Sequence, residues 1–115
     1  MAGILTLTWL EKTSEMKNHD VQFTNLTFAK SAVSHQVRKL LVNVEKFGHT
    51  FSSGLARWRH EEIIPRYHKA DVDKFAFAHG PKYTETAEGY RMEGENFTTR
   101  HLASEEDART WLVTP

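Results

Sequence analysis

Two serines and two histidines stand beside predicted strand ends, where nucleophilic chemistry could be assembled. Ser52 and Ser53 closely follow His49, and His79 follows a later strand. A serine with a histidine as its base is the pair that acyl-transfer enzymes use. The G-x-S-x-G turn that exposes such a serine in α/β hydrolases is absent. We therefore favour a function without catalysis, and a small hydrolase or transferase using His49, Ser52 or His79 is the alternative.

Metal-ligating side chains are densest at His60-Glu61-Glu62 and His68. Zinc proteases place two histidines four positions apart on one helix, with a glutamate between them. Position 64 is Ile64, so this spacing fails. The chain also has no cysteine, which excludes thiolate ligands and disulfides. No metal site is predicted.

Charge and composition limit the partners of the chain. Fifteen basic residues balance fifteen acidic ones, so no net charge draws it to nucleic acid. In Arg57–His60, basic side chains flank the aromatic ring of Trp58, and such a pattern can stack on nucleotides. We instead interpret Leu55, Trp58 and Tyr67 as the core face of a helix, with the arginines in solvent on the opposite side. No nucleic-acid partner is expected.

Localisation and cofactors follow from what the sequence lacks. A chain without cysteine fits an intracellular setting, and we predict a cytoplasmic protein. The apolar stretch Ile4–Leu10 is too short to cross a bilayer and has no basic residues before it, so neither a signal peptide nor a transmembrane segment is predicted. Gly80, Gly89 and Gly94 do not form a phosphate-binding loop, and no cofactor is predicted.

The first part of the chain predicts a strand, a helix and a second strand. Ile4–Leu10 is rich in β-branched and aromatic residues and alternates, which is typical of a strand. Apolar residues at three- and four-residue steps predict a helix over 14–35. Lys39–Val44 is a short apolar run, which predicts a strand buried on both faces at the centre of a parallel sheet.

A turn at 47–50 is followed by the second predicted helix. Ser52 or Ser53 could cap its first turn, because serine oxygens accept hydrogen bonds from free N–H groups at a helix start. The helix continues toward Tyr67, and Pro65 either kinks it or begins a separate last turn.

The remaining elements complete an alternating α/β pattern. Lys74–His79 predicts a third strand and Phe97–Leu102 a fourth, with a glycine-containing loop over 80–96 between them. Ser104 and the acidic residues after it predict the start of a last helix. The order β-α-β-α-β-loop-β-α predicts one layered α/β domain over residues 1–115, with four or five mostly parallel strands.

The second predicted strand and the turn after it resemble motifs of STAS domains, the anti-sigma-factor antagonist family. Leu40–Val44 resembles the family's strand, and Thr50–Leu55 resembles its D-S-S-G-L turn. The similarity covers roughly residues 37–112 and looks like the STAS-like branch that is grouped with CRAL-TRIO lipid carriers. Its other parts are Trp58, Glu62–Pro65, Lys74–Ala78, Phe97 and Ser104–Leu112.

The resemblance implies a protein-interaction module whose turn serine can be phosphorylated. The resemblance implies that Ser52 is this serine. A phosphate on Ser52 would meet free N–H groups at a helix N-terminus. Two positions depart from the family's pattern: Phe51 replaces the usual aspartate, and Asn43 stands where an acid is common. The alternative is that Ser52 or Ser53 only caps the helix.

Aromatic side chains suggest a pocket near the same turn. The carboxyl ends of parallel strands share one edge of a sheet, so Phe47–Leu55 and His79–Pro81 are expected at a common rim. A ligand pocket or an ordinary filled core would both use such side chains. The sequence predicts a non-enzymatic STAS-like module that binds a protein partner, a second copy of itself, or a lipid or small apolar ligand; a purely structural homodimer is a further alternative. The candidate pocket residues are Trp9, Phe47, His49, Phe51, Trp58, Phe75, Phe77, His79 and Tyr83.

Overall fold

Four parallel strands form the centre of the molecule. The computed structural model describes residues 3–9, 17–47, 53–81 and 95–114. The strands lie side by side in chain order, and every neighbouring pair is parallel. The predicted α/β fold with a parallel sheet is confirmed. The strands are β1 (Ile4–Thr8), β2 (Lys39–Asn43), β3 (Lys74–Ala78) and β4 (Thr98–Leu102).

Helices connect the strands and follow the last one. Helix α1 (Asn18–His35) joins β1 to β2. Helix α2 (Ser53–Trp58), a π-helical turn (Arg59–Ile63) and helix α3 (Ile64–Lys69) lie between β2 and β3. Helix α4 (Glu105–Val113) follows β4.

The two faces of the sheet pack against different helices, because successive side chains of a strand point to opposite faces. On one face, here called the α1 face, Leu40, Val42 and Phe75 pack in one cluster with residues of α1 and α3. On the other, here called the α4 face, Leu41 and Ala76 pack against Ala108 and Leu112 of α4. The result is a three-layer arrangement of helix, sheet and helix.

The predicted central strand and last helix are confirmed in detail. In β2, Leu40, Leu41 and Val42 are buried, and the strand pairs with a neighbour on each side. Ser104 caps α4, because its Oγ accepts a hydrogen bond from the N–H of Asp107 at 3.1 Å. Strong local signals therefore predicted both elements correctly.

Element ends differ by a residue or more where periodicity is weak. The predicted strands Lys39–Val44, Lys74–His79 and Phe97–Leu102 are each one residue longer than β2, β3 and β4. The described part of the predicted first helix begins at Asn18, and residues 14–16 lie outside the described residues. Such shifts are expected, since helix and strand ends have few hydrogen bonds to define them.

Candidate ligand-binding site

Backbone pairing places a row of side chains at the carboxyl ends of the strands. Leu7, Val42, Phe77 and His101 are register partners across the sheet and share the α1 face. Hydrogen bonds continue beyond the strands, from the N–H of Trp9 to Asn43 O at 3.1 Å and from the N–H of Val44 to Ala78 O at 2.9 Å. The N–H of His79 also bonds Leu102 O at 2.9 Å. Every second residue of an extended chain lies on the same face. Trp9, Val44 and His79 therefore form a second row beyond Leu7, Val42 and Phe77.

The turn after β3 passes close to Glu45, which follows β2. Gly80 has a φ of +110°, a backbone conformation that residues with a Cβ rarely adopt. A Cβ at this position would also approach Glu45 Cγ to 2.8 Å. The absence of a side chain at Gly80 thus lets the turn after β3 pass close to the turn after β2.

Except for Leu7, the residues of these rows form the floor of a cavity of about 380 Å³ on the α1 face. Its size falls in the range of small-molecule sites, which runs from about 300 to 1,000 Å³. Polar groups from three elements reach it: Asn25 from α1, Arg59 from the π-helical turn, and His79 and His101 from the sheet. Its described apolar lining residues are Trp9, Val42, Val44, Phe47, Phe75 and Phe77.

Two histidines form a contact pair in this cavity. The Nε2 of His79 lies 2.7 Å from the Nδ1 of His101, so one ring donates a hydrogen bond and the other accepts it. The ring of His101 also stacks on Phe77, with centroids 4.9 Å apart and planes 11° from parallel. The pair can carry at most one positive charge while this hydrogen bond persists, because two imidazolium rings would place two N–H donors against each other.

Burial favours the neutral form of both rings. Desolvation lowers the pKa of His79 below its ordinary value. Desolvation likewise lowers the pKa of His101, and the neighbouring His79 lowers it further. The pair is therefore a hydrogen-bonding group without charge at neutral pH.

The histidine pair predicts that part of the free energy of unfolding is lost as the pH falls. A pKa that is lower in the folded than in the unfolded state means that the unfolded chain binds more protons as the pH falls below about 6.5. The contribution of the pair is thus complete above that pH and is lost as the pH drops through the folded-state pKa values. Urea unfolding of the wild type and of the double variant His79→Gln/His101→Gln, at about pH 7.5 and about pH 5.5, measures the difference.

We expect the double variant to lose less stability on acidification than the wild type. The matched control is His35→Gln, at an exposed position on α1, which should keep the wild-type pH dependence. An equal pH dependence in the double variant and the wild type would contradict the assignment of neutral, buried rings.

A local widening of the second helical segment precedes Pro65 and includes Arg59. Proline has no N–H, so Pro65 cannot give the usual helical hydrogen bond to the residue four positions back. The N–H of Ile64 instead bonds the carbonyl of Arg59, five positions back, in a π-helical turn. Arg59 begins this turn on the side of the helix that faces the sheet.

The guanidinium of Arg59 rests on the aromatic core. Its Cζ lies 5.5 Å from the ring centroid of Phe75 and 6.0 Å from that of Tyr67. Burial raises the pKa of Tyr67 to about 12, and the positive charge of Arg59 acts in the opposite direction. The prediction that the arginines of this helix lie in solvent is correct for the exposed Arg57 and wrong for Arg59, whose side chain is only 22% exposed.

Five of the predicted pocket residues line the cavity: Trp9, Phe47, Phe75, Phe77 and His79. Trp58 is half-buried against the same core cluster without being among the lining residues. Ser53 is the first residue of α2, and its side chain is not described. His49, Phe51, Ser52 and Tyr83 lie outside the described residues.

Sequence reasoning missed Asn25, Val42, Val44, Arg59 and His101. A signal for Arg59 was present, because it lies four positions after the buried Leu55, and residues four apart share a helix face. His101 could be found only from the pairing register of β3 with β4, which places it opposite Phe77.

A second groove of about 300 Å³ runs between β1 and α1 and includes the exposed Phe23. Two of its hydroxyl groups already bond carbonyls of their own helix: Thr24 Oγ1 donates to Asp20 O, and Thr27 Oγ1 donates to Phe23 O. This groove lacks the converging imidazole and guanidinium groups of the cavity on the α1 face. We therefore take that cavity as the candidate site.

Within the described ranges, no three histidine or acidic side chains converge on a point where a metal ion could bind. None of the helices in those ranges has both the length and the apolar character that a membrane span requires. No family model matches the sequence, and neither a curated protein nor a solved structure shows significant similarity to it.

Proposed function

We propose that this protein is a non-enzymatic module that binds a small, largely apolar ligand in the cavity on the α1 face. The observation that carries the proposal is the cavity itself, which has aromatic and aliphatic walls and a few polar groups at defined positions. Ligand sites in proteins combine these two properties. The position at the carboxyl ends of parallel strands is also where ligands of open α/β sheets bind.

The aromatic walls support binding of an apolar group. Trp9 and Phe47 contact each other with ring centroids 4.9 Å apart, and Phe75 and Phe77 contact each other at 4.8 Å. Flat rings such as these provide contact area with few rotatable bonds, so little conformational freedom is lost when a ligand binds. An apolar ligand there would remove water from the half-buried rings of Phe47 and Phe77.

The phosphoswitch and the serine–histidine catalysis considered from the sequence remain predictions. A STAS-like phosphoswitch depends on Ser52, and catalysis by a serine and a histidine depends on Ser52 with His49 or His79. The contact of His79 with His101 places both imidazoles at the cavity, where they suit hydrogen bonding to a ligand. Binding of a protein partner and formation of a homodimer are likewise proposals independent of the cavity.

Filling the cavity should weaken binding. Val44 is half-buried and lines the cavity, so Val44→Phe places a ring where the ligand would lie. Octanol serves as a neutral apolar probe, and isothermal titration calorimetry measures its affinity. We expect the variant to weaken octanol binding by about tenfold or more, since tenfold corresponds to about 1.4 kcal/mol of lost contact.

The matched control is Val113→Phe, the same substitution at a position on α4 that is 68% exposed. The control should bind octanol as the wild type does. Undiminished binding by Val44→Phe, or absence of binding by the folded wild type, would contradict the proposal.

A further inference from the structure

We infer that the ligand of this cavity carries a carboxylate, and that Arg59 binds it while the apolar part lies against Phe75 and Phe77. This inference rests on the proposed function and adds the chemical class of the ligand. The reasons are the charge at the cavity, the guanidinium donors of Arg59 that meet no acceptor among the described residues, and the position of Arg59 against the aromatic wall.

Arg59 is the only lysine, arginine, aspartate or glutamate among the described lining residues. The two histidines add no net charge in their neutral form, and Asn25 is uncharged. A cavity wall with one fixed cation favours a ligand with one negative charge over a neutral or cationic one. The low polarity of the other walls strengthens this preference, because charges interact more strongly away from water.

The hydrogen-bond donors of Arg59 have no acceptor among the described residues. A guanidinium carries five N–H donors. Its nearest described carboxylate oxygen, Glu95 Oε2, lies 3.9 Å from Nη1, which is too far for a hydrogen bond. With only 22% of the side chain exposed, water reaches the group less than it reaches a surface arginine. A carboxylate can accept two parallel hydrogen bonds from such a group, and it carries the single negative charge that matches the one cation of the lining.

The aromatic wall holds Arg59 in a position suited to this role. Its guanidinium lies over Phe75, and Phe75 contacts Phe77 in the cavity floor. A ligand bonded to Arg59 by its carboxylate would therefore have its apolar part next to these two rings. The His79–His101 pair lies beyond Phe77, where His101 stacks on that ring.

Glu95 limits the strength of this site and offers an independent test. Its side chain is only 5% exposed, and its Oε1 has no hydrogen-bond partner in the described structure. The negative charge of Glu95 offsets part of the charge of Arg59 at 3.9 Å. Removing that charge should therefore strengthen carboxylate binding, whereas removing Arg59 should weaken it.

The experiment compares octanoate, octanol and octylamine, which share one apolar chain and differ in head group. Isothermal titration calorimetry at neutral pH measures each affinity for the wild type, Arg59→Met and Glu95→Gln. We expect the wild type to bind octanoate more tightly than the other two probes. Arg59→Met should weaken octanoate binding by about tenfold, the loss of a charge-assisted hydrogen bond, and leave octanol binding within about twofold.

Glu95→Gln should tighten octanoate binding by a factor of about three without changing octanol binding. Arg57→Met is the matched control, because Arg57 is exposed on the preceding turn and lies outside the cavity lining. It should bind all three probes as the wild type does.

Each result separates the inference from the proposed function. Equal binding of octanol and octanoate by the wild type would overturn the carboxylate assignment and leave the apolar site intact. Tighter octylamine binding would overturn it by reversing the preferred charge. Absence of binding of every probe to the folded wild type would contradict the proposed function itself.

Discussion

Replacing Phe75 by alanine should cost about 3–5 kcal/mol of unfolding free energy, the range for truncating a buried aromatic residue. Phe75 is 2% exposed and lies at the centre of the aromatic core. Its ring centroid lies 5.4 Å from that of Tyr67, 4.8 Å from that of Phe77 and 6.0 Å from that of Phe97. Alanine would remove all of these contacts and leave a void between the sheet and α3.

Urea unfolding followed by circular dichroism measures this loss. Small domains have a total stability of about 5–15 kcal/mol, so the substitution should remove a large share of it. The matched control is Phe23→Ala, which truncates a phenylalanine that is 71% exposed on α1 and should change the stability by at most about 0.5 kcal/mol. Equal losses in the two variants would show that Phe75 is not a core residue.

Leu112→Ala should destabilise the protein by about 2–5 kcal/mol through the opposite face of the sheet. Leu112 is fully buried and belongs to the cluster that joins α4 to Leu41 and Ala76. The end of α4 is also fixed by Lys74, whose Nζ donates a hydrogen bond to Trp111 O at 3.0 Å. With α4 held in place, the helix cannot close the void that alanine would leave.

The neighbouring residue provides the control for this face. Val113 is 68% exposed, so Val113→Ala should leave the unfolding free energy nearly unchanged, within about 0.5 kcal/mol. The same urea experiment measures both variants. A loss of less than about 1 kcal/mol for Leu112→Ala would contradict the packing of α4 on the sheet and with it the three-layer arrangement.

The fold could be predicted from local patterns because several of them agree. The apolar run Lys39–Val44 predicted a strand buried on both faces, and β2 is central. The acidic residues after Ser104 predicted the start of α4, and its cap is present. Strands separated by helices favour parallel pairing, since a crossover returns the chain in the same direction. These elements follow from contacts that are close in sequence.

The candidate site could be predicted only in part, because it depends on contacts between distant residues. His79 and His101 meet because β3 and β4 pair in one particular register, and a slip of one residue would turn His101 to the other face. No local pattern fixes that register across the long segment between the two strands. Trp9 and Phe77, by contrast, could be predicted as pocket residues from their aromatic side chains alone.

Arg59 shows how a general rule can mislead. Charged residues are mostly exposed, and this rule favoured an arginine in solvent. The four-residue step from Leu55 to Arg59 pointed instead to the buried side of the helix. The backbone of Arg59 then accepts the hydrogen bond of the π-helical turn, and its guanidinium lies over Phe75. The charge of a residue therefore indicates a functional site better when the residue also lies at a core-facing helix position.

The most direct test of the central claim is a nuclear magnetic resonance titration of the protein with octanol. Trp9 lines the cavity, whereas Trp58 and Trp111 are not among its described lining residues. We predict that the indole N–H resonance of Trp9 shifts progressively with octanol, with smaller changes at the other two. Shifts that leave Trp9 unchanged and instead concentrate around Phe23, in the groove between β1 and α1, would contradict the account.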